Sequence, residues 1–390
     1  MQLAHRMSQL GTETAFQVLA RAQALTDQGR DIINLGIGQP DFKTPPHVVE
    51  AGIKALRDGH HGYTPSPGIT ALREAVCADI ARYRGVDVDP DRIVCVPGGK
   101  VTMFFAMLMF GEPGVEILYP NPGFPIYESA IRFSGATPVP IPLLEGQDFS
   151  FDADSVLNQI TDRTRLLIIN SPANPTGGTI PKAEIDKLVA GLEAHPQVAV
   201  LSDEIYARMC YDGVPHVSLM NYPELADRLI LLDGWSKTYA MTGWRLGYGV
   251  WPKALVDPAI RLAVNCHSCV NSATQYAGIA ALEGPQDEVD VMMAAFAERR
   301  VQIVSGLNDI PSLSCRMPGG AFYAFPNITA SGRTSMELQQ GLLEQAGVAT
   351  IAGTSFGAYG EGYLRFSYAS SIENIQTALG RIAELLAGET

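Results

Sequence analysis

The hydrophobic positions in the middle of the chain fall into short runs that are separated by longer, more polar segments. The runs have the length and the β-branched content of buried strands. The segments between them, for example Lys182–Leu192, repeat apolar residues at helical spacing. The predicted strands are Arg92–Val96, Glu116–Tyr119, Leu166–Ile169, Val198–Leu201, Leu229–Leu232 and Leu246–Val250. Short buried strands that alternate with helices predict an α/β domain with a mostly parallel sheet.

The pattern changes after Gly284. A long helical pattern covers Asp287–Gly306, and another covers Ile372–Leu386 near the end of the chain. Two strand-like stretches, Ala321–Phe325 and Tyr363–Tyr368, lie between these helices. Because strands and helices no longer alternate regularly here, this part of the chain is predicted to form an α+β unit.

These patterns predict how the chain is divided. A chain of 390 residues is long enough for a large core and two domains. Residues 45–283 are predicted to form a large α/β domain, and residues 284–390 a smaller α+β domain. Residues 1–44 include one amphipathic helix near Ala15–Asp27 and are expected to pack against the smaller domain.

Composition and charge are typical of a soluble protein that does not bind nucleic acid. Hydrophobic residues make up 46% of the chain and charged residues 18%. The formal net charge of −13 argues against a nucleic-acid partner. The apolar run Val101–Phe110 is about half as long as a bilayer span requires, and the first residues lack the apolar core of a signal peptide. We therefore expect a cytoplasmic protein with no membrane partner.

The cysteines add little chemistry. Six of them are scattered along the chain, which fits a reducing compartment better than a disulfide framework. Cys266 and Cys269 form a CxxC pair, but no second pair or histidine follows at the spacing of a zinc site. We interpret both cysteines as structural and expect no metal site.

Polar side chains follow three of the predicted strands. Asn174 comes after the third strand, Asp203 and Tyr206 come after the fourth, and Lys237 comes after the fifth. In open α/β sheets, ligands bind outside the carboxyl ends of the strands. Each motif alone also fits a turn or a helix cap. Their occurrence at three successive strand ends favours a binding site.

Lys237 and Arg245 indicate which ligand this site binds. A lysine in a protected site can condense with an aldehyde when its ammonium is destabilised. An arginine eight residues further along can hold a phosphate through two parallel hydrogen bonds. An aldehyde and a phosphate on one small molecule suggest pyridoxal phosphate. Asp203 would keep the ring nitrogen protonated, and Asn174 and Tyr206 would donate to the ring oxygen and tune the Schiff base.

A glycine-rich helix start supplies further phosphate donors. Gly98, Gly99 and Lys100 follow the first predicted strand and open the apolar helix at Val101. Backbone amides at such a helix start form an anion site, although a simple tight turn would look the same. Phe124 could stack on a flat cofactor, and it could equally belong to the core.

These motifs occur in an order that resembles a known family over nearly the whole chain. They are Asn34–Phe42, Gly62–Gly68, Gly98–Lys100, Asn174–Gly177, Asp203–Tyr206, Ser236 and Lys237 with Arg245, and Tyr363–Ser367. Together they resemble the bacterial, aspartate aminotransferase-like branch of the class I (fold type I) pyridoxal phosphate-dependent aminotransferases. The resemblance implies a mostly parallel seven-stranded sheet with helices on both faces, plus a smaller α+β domain.

The resemblance also implies roles for individual residues. Lys237, with Ser236 beside it, would bind the cofactor, and Arg365 would grip the α-carboxylate of the substrate. Gly38 would lie at that carboxylate, where a side chain could obstruct closure of the site. Tyr63 would reach the cofactor phosphate of a neighbouring subunit, so that the active sites form at a homodimer interface.

The activity implied by the resemblance is transamination in two stages. The amino group of an L-amino acid would pass to the cofactor with release of a keto acid, and a second 2-oxo acid would then receive it. Lys237 would move the proton from Cα, with Asp203 and Tyr206 as the other catalytic residues.

One position departs from the family pattern. Many members have a serine three residues before the lysine as a phosphate donor, and this chain has Gly234 there. Because one hydroxyl contact is lost, we expect somewhat weaker retention of the cofactor, without loss of function.

The substrate is less well defined by the sequence. No arginine or lysine occurs between Arg261 and Arg299, where well-known aspartate aminotransferases have an arginine for the side-chain carboxylate. In the bacterial branch a lysine in the phosphate loop can take this part, and Lys100 matches it. We expect aspartate or glutamate first, with aromatic or other neutral amino acids as the alternative.

Other functions remain open at this stage. A lyase or decarboxylase of the same fold would use the same lysine, aspartate and arginine. A cofactor-binding regulator fused to a DNA-binding head is the non-enzyme alternative, although too few residues precede the large domain for such a head. A nicotinamide dehydrogenase is disfavoured because no GxGxxG joins a first strand to a helix.

Overall fold

The apolar runs of the sequence form strands, and the amphipathic segments between them form helices, in the computed structural model, which describes residues 1–388. The helices are α1 (Thr14–Asp27), α2 (Pro46–Arg57), α3 (Thr70–Arg84), α4 (Lys100–Phe110), α5 (Ile126–Ser134), α6 (Ala153–Asn158), α7 (Lys182–Leu192), α8 (Lys253–His267), α9 (Ser272–Glu283), α10 (Asp287–Asn308), α11 (Ser335–Gly341) and α12 (Ile372–Ala387). The strands are β1 (Ile33–Asn34), β2 (Ile93–Val96), β3 (Glu116–Asn121), β4 (Thr137–Pro142), β5 (Thr164–Asn170), β6 (Ala199–Asp203), β7 (Leu229–Gly234), β8 (Gly247–Val250), β9 (Tyr323–Ala324), β10 (Val348–Ala349), β11 (Ile351–Ala352) and β12 (Leu364–Ser367).

The central sheet has seven strands in the order β2-β8-β7-β6-β5-β3-β4. Strand β8 runs antiparallel to both of its neighbours, and the other pairs are parallel. The predicted mostly parallel seven-stranded sheet is therefore confirmed. Its middle strands β5, β6 and β7 end side by side, so the residues that follow them are brought to one edge of the sheet.

Helices cover both faces of this sheet. Along β5, Leu166 and Ile168 pack into one apolar cluster with α4, α5 and α8. The alternate residues Leu167 and Ile169 pack on the opposite face with α7. Alternation of this kind follows from the two-residue period of a strand. Each fully buried aliphatic side chain contributes about 1.5–3 kcal/mol through removal of apolar surface from water. This packing stabilises the sheet that positions the residues at the strand ends.

The strand β4 lies at the edge of the sheet and was not among the predicted strands. Its sequence, Thr137-Pro-Val-Pro-Ile-Pro142, has proline at every second position. Proline cannot donate a backbone hydrogen bond, and it is therefore confined to the edges of sheets. Here β4 pairs in parallel with β3 alone. Its other side has no neighbouring strand, so the missing N–H groups of its prolines leave no strand there without a donor.

A smaller antiparallel sheet follows in the order β11-β12-β9. Helix α10 packs against β9 and against α12. The N-terminal strand β1 pairs in parallel with β10, with Ile33 opposite Val348. The first part of the chain is thus paired with the C-terminal part through β1 and β10, while the predicted domain division, with its boundaries at residues 44 and 283, stays a prediction. Strand β12 carries Arg365.

Residues 1–388 contain neither a membrane-spanning helix nor a cluster of metal ligands. No helix in this range is both long and apolar enough to cross a membrane. No group of three or more His, Cys, Asp or Glu side chains in the same range is arranged to bind a metal ion. Cys266 and Cys269 are both free thiols.

Candidate active site

A cavity of about 490 Å³ lies at the carboxyl ends of β5, β6 and β7. Its wall is completed by the start of α1, by the start of α4 and by Arg365 of β12. Most of the predicted site residues line it: Gly38, Gly99, Lys100, Phe124, Asn174, Asp203, Tyr206, Ser236, Lys237, Arg245 and Arg365. Gly98 and Tyr63 are not part of the lining. Segments distant in sequence therefore converge on one site.

Lys237 lies just beyond β7 with its side chain directed into the cavity. Its Nζ donates a hydrogen bond of 2.5 Å to the carbonyl oxygen of Gly38. Burial, reinforced by the positive charge of Arg365, lowers the pKa of Lys237 to about 8. An amine with a pKa this low is neutral for part of the time near pH 7, and the neutral amine is the form that attacks a carbonyl carbon.

Asp203 is the last residue of β6 and is buried at the cavity wall. The hydroxyl of Tyr127 donates a hydrogen bond of 2.7 Å to Oδ2 of Asp203. Burial raises the pKa of Asp203 to about 6, and the Tyr127 hydrogen bond opposes this rise. A buried carboxyl group of this kind stabilises a protonated ring nitrogen because it gains a counter-charge when that nitrogen is bound.

Two phenols meet on the other side of the cavity. Tyr206 Oη and Tyr323 Oη are 2.8 Å apart. Burial raises the pKa of Tyr206 well above its ordinary value, so this hydroxyl keeps its proton and can donate a hydrogen bond. Gly38 lies beside this pair, because a Cβ atom at Gly38 would stand 2.4 Å from Tyr323 Oη. Any larger residue at Gly38 would therefore displace Tyr323.

Arg365 is only 3% exposed, and its contacts are neutral. Nη1 donates to Asn174 Oδ1 at 3.0 Å, and Nη2 donates to the carbonyl oxygen of Gly36. Its Nε has no hydrogen-bond partner among the described residues. Burial lowers the pKa of Arg365. A buried guanidinium with an unused donor and no carboxylate partner is suited to bind an anionic ligand.

Arg245 lies at the start of α4, where the sequence predicts the phosphate site. Its backbone is left-handed, with φ of 56°, and Nη1 donates to the carbonyl oxygen of Thr242 at 2.7 Å. A Cβ atom at Gly98 would stand 2.0 Å from Arg245 Nη2. Glycine at 98 thus permits the guanidinium to lie against the loop, next to the amide groups that begin α4.

Lys100 is the first residue of α4 and lies near Phe124, another predicted site residue. Its Nζ is 5.3 Å from the centre of the Phe124 ring. It also forms an ion pair with Glu13, which is the residue before α1. The aromatic ring of Phe124 lines the cavity and packs edge-on against Tyr127.

The two predicted residues outside the cavity lining have different environments. Gly98 contacts the cavity through Arg245, as described above. Tyr63 projects from the surface, with 92% of its area exposed.

Gly234, the departure from the family pattern, has a packing reason in this structure. A Cβ atom at Gly234 would stand 2.8 Å from Gly247 Cα on the neighbouring strand β8. This distance is shorter than any real Cβ contact, so the backbones of β7 and β8 would have to separate to admit a serine.

Sequence reasoning missed Tyr127, Tyr323 and Glu13 as site residues. Tyr127 lies three residues after Phe124, and Tyr323 lies in a stretch interpreted only as a strand. Their spacing carried no signal, because each acts on a partner that is distant in the chain. Tyr127 and Asp203, for example, are 76 residues apart.

The residues present fit pyridoxal phosphate. Lys237 offers an amine with a lowered pKa, and Asp203 offers a buried carboxyl group for a ring nitrogen. The loop at Gly98 and the side chain of Arg245 would hold the phosphate. The unused Nε of Arg365 leaves one further donor for an anionic group.

Comparisons with known proteins agree with this chemistry. An aspartate aminotransferase from Geobacillus stearothermophilus is 38% identical over 388 residues, covering 98% of each chain. An aromatic-amino-acid aminotransferase from Thermococcus litoralis is 36% identical and covers 91% of this chain and 92% of its own. The crystal structure of an aspartate aminotransferase from Rhizobium meliloti superposes with a TM-score of 0.95 at 35% identity, over 99% of both chains.

Fold and relatives together define a pyridoxal phosphate-dependent aminotransferase that acts on amino acids and 2-oxo acids. A family model described as aminotransferase class I and II matches residues 30–382. The chain belongs to this family.

Proposed function

We propose that this enzyme transfers the amino group of aspartate or glutamate to a 2-oxo acid, with Lys237, Asp203 and Tyr206 as its catalytic residues. The observation that carries the proposal is the buried, incompletely bonded Arg365 in the same cavity as Lys237. An α-amino acid offers a carboxylate and an amino group on one carbon. Arg365 would bind the first, and this would bring Cα to Lys237.

The cofactor would be held from several sides. Arg245 and the backbone amide of Gly99 would bind its phosphate, with Ser236 and Lys100 nearby. The backbone amide of Gly98 donates to the carbonyl oxygen of Val96, so Gly98 would contribute by letting Arg245 lie against the loop. Bound pyridoxal phosphate supplies the electron sink that stabilises negative charge at Cα of the substrate.

Around the ring, four side chains would complete the cofactor site. Asp203 would pair with the ring nitrogen, Asn174 and Tyr206 would donate to the ring oxygen, and Phe124 would lie against the ring face. Burial of Asp203 and Tyr206 supports this arrangement, because water would otherwise compete for both groups.

Proton transfer would depend on Lys237. Its Nζ would accept the proton from the substrate Cα as general base and would then donate it to the cofactor as general acid. The lowered pKa of Lys237, about 8, supports this role because both protonation states are accessible near neutral pH. The hydrogen bond from Nζ to the Gly38 carbonyl oxygen would keep the amine inside the cavity.

The substrate side chain would be read by Lys100. Its ammonium lies at the cavity wall, where it could receive the second carboxylate of aspartate or glutamate. Gly38 would leave room for the α-carboxylate beside Arg365. Aromatic amino acids are the second candidate substrates, because Phe124, Phe16 and Phe356 give the same cavity an aromatic lining.

We also propose that the enzyme is a homodimer with shared active sites. Tyr63 supports this, because a large aromatic side chain that is 92% exposed would find a binding site on a second subunit. In that arrangement Tyr63 would contact the cofactor phosphate of the partner.

The domain division is proposed on the same footing. All strands of the central sheet lie between residues 45 and 283, and the strands of the smaller sheet lie between 284 and 390. We propose these ranges as the two domains, with residues 1–44 attached to the smaller one through β1.

A cytoplasmic location is proposed because all six cysteines are free thiols.

The test is the absorption spectrum of the purified holoenzyme, titrated with single amino acids in the absence of any keto acid. Aspartate and glutamate are expected to convert the bound cofactor from its pyridoxal to its pyridoxamine form, and phenylalanine is expected to do so at higher concentration. Conversion by phenylalanine or alanine alone would contradict the proposed substrate class. A protein that does not take up pyridoxal phosphate would contradict the role of Lys237.

A further inference from the structure

Lys100, which is proposed above to receive the side-chain carboxylate of the substrate, already has a carboxylate partner within the chain. Its Nζ forms an ion pair with Oε1 of Glu13. Both residues line the cavity. The Glu13 side chain is 16% exposed and the Lys100 side chain 43% exposed, so the pair lies at the cavity wall and is partly shielded from water.

The side chain of Glu13 does not cap its own helix. Glu13 is the N-cap residue of α1, a position where Ser, Thr, Asp or Asn commonly accepts a hydrogen bond from the first turn, and Glu is not among these preferred residues. Its side chain makes no such bond and points to Lys100 instead. The interaction with Lys100 therefore decides the orientation of this side chain.

The charges of the cavity make Glu13 unusual. Four cationic side chains line the cavity, namely Lys100, Lys237, Arg245 and Arg365. Among the described lining residues, the only carboxylates are Glu13 and Asp203. Asp203 accepts a hydrogen bond from Tyr127, whereas Glu13 is paired with one of the four cationic side chains, Lys100. The charge of Glu13 also acts on Lys237 and Arg365.

The attachment of Glu13 to the rest of the protein is light. The preceding short helix, His5–Gln9, has no buried residue. The buried residues of α1 are Val18, Ala22 and Leu25, and Ala15 packs against the same apolar cluster, whereas Glu13 belongs to no cluster. Between them, the backbone nitrogen of Gly11 donates to Ser129 Oγ at 2.9 Å. Glu13 can consequently turn away from Lys100 without breaking a hydrophobic core.

We propose that Glu13 is a specificity-determining residue that competes with the side-chain carboxylate of the substrate for Lys100. A dicarboxylic amino acid must displace Glu13 before it reaches Lys100. A neutral side chain leaves the Glu13–Lys100 pair intact and packs against the aromatic lining at Phe124. The pair thereby weakens discrimination in favour of dicarboxylates and lets one cavity accept both classes of amino acid.

The test uses the holoenzyme and two non-reacting ligands, succinate and 3-phenylpropionate, in isothermal titration calorimetry. The variant Glu13→Gln keeps the shape of the side chain and removes its charge. We expect succinate to bind about threefold to fivefold more tightly to Glu13→Gln than to the wild type, the range of a partly exposed ion pair. The dissociation constant of 3-phenylpropionate should change by less than about twofold.

The matched control is Glu112→Gln, which removes the same charge from an exposed residue just beyond the far end of α4. The helix is 11 residues long, so this site is on the order of 16 Å from Lys100. Glu112→Gln should change neither dissociation constant. In the double variant Glu13→Gln/Lys100→Met, succinate should bind no more tightly than in Lys100→Met alone.

Two results would overturn the proposal for Glu13. One is that Glu13→Gln and Glu112→Gln behave alike, and the other is that both ligands gain affinity equally. The inference rests on the proposed role of Lys100, but binding is measured without turnover, so failure of the Glu13 proposal can be distinguished from failure of the proposed function. If the wild type does not transaminate aspartate but Glu13→Gln binds succinate more tightly, the substrate proposal fails and the role of Glu13 stands.

Discussion

Two buried arginines, Arg84 and Arg365, have contrasting surroundings. Arg84, the last residue of α3, donates to Glu204 Oε2 at 2.9 Å and to Asp233 Oδ2 at 2.6 Å. Arg365 contacts only neutral oxygens, and its Nε is unbonded within the described chain. Burial alone would lower the pKa of both groups. Asp233 and Glu204 outweigh it for Arg84, whose pKa is raised, whereas the pKa of Arg365 stays lowered.

The difference separates an ion pair within the fold from an arginine that is available to a ligand. Arg84 joins Glu204, the residue after Asp203, to Asp233, four residues before Lys237. It therefore ties together the two segments that carry Asp203 and Lys237. The desolvation cost of a charge that the fold itself neutralises is offset by its partners, so loss of one partner is strongly destabilising. A buried charge without a counter-charge, such as Arg365, costs stability until a ligand supplies the counter-charge.

The largest effect is expected from Arg84→Met. This change leaves Asp233 buried without its cation and leaves Glu204 with His216 as its remaining basic partner, and breaking a buried pair in this way costs about 3–5 kcal/mol. We expect the free energy of unfolding of the apoenzyme, measured by urea denaturation, to fall by this amount. A variant as stable as the wild type would remove the distinction between the two arginines.

Asp203 and Glu204 are adjacent in sequence, and their pKa values are shifted in opposite directions. Burial raises the pKa of Asp203 from 3.8 to about 6. Burial would also raise the pKa of Glu204, but His216, 3.0 Å away, and Arg84 outweigh it and lower this pKa from 4.5 to about 2. A carboxyl group whose pKa is raised in the folded state loses its stabilising effect as pH rises from the unfolded-state pKa to the folded-state pKa. A carboxyl group whose pKa is lowered in the folded state loses its stabilising effect as pH falls from the unfolded-state pKa to the folded-state pKa.

Stability should therefore respond to these two carboxyl groups in opposite directions. The Asp203 contribution is present below pH 3.8 and is lost by about pH 6, a change of about 3 kcal/mol. The difference in stability between Asp203→Asn and wild-type apoenzyme should grow in favour of the variant over this range in urea denaturation. The Glu204 contribution is lost as pH falls from 4.5 to about 2. If the difference in the free energy of unfolding between wild type and Asp203→Asn stayed constant from pH 3.8 to about 6, Asp203 would not titrate in this range.

Sequence patterns predicted the parts of the molecule that depend on local order. The strands of the central sheet follow from short apolar runs, and Asn174, Asp203 and Lys237 were expected near one another because each follows a strand. The edge strand β4 was missed because its prolines disfavour a strand in any position except an edge. Local periodicity does not say which strand will lie at the edge.

Contacts between distant segments were not predictable in the same way. Lys100 and Glu13 are 87 residues apart, and Arg84 and Glu204 are 120 residues apart. No spacing rule relates such pairs, because tertiary packing alone brings them together. The contrast between Arg84 and Arg365 is likewise invisible in the sequence, where both are single arginines in ordinary segments.

The most direct test of the account is a joint measurement on Arg365→Leu of kcat/KM for aspartate and of the free energy of unfolding of the apoenzyme. We predict that kcat/KM falls by about thirtyfold or more, since removing one partner of a buried charge pair costs about 2 kcal/mol or more. Stability should stay the same or increase, because an unpaired buried charge is removed. A variant that loses stability as Arg84→Met does and retains its kcat/KM would contradict the assignment of Arg365 as the carboxylate-binding residue.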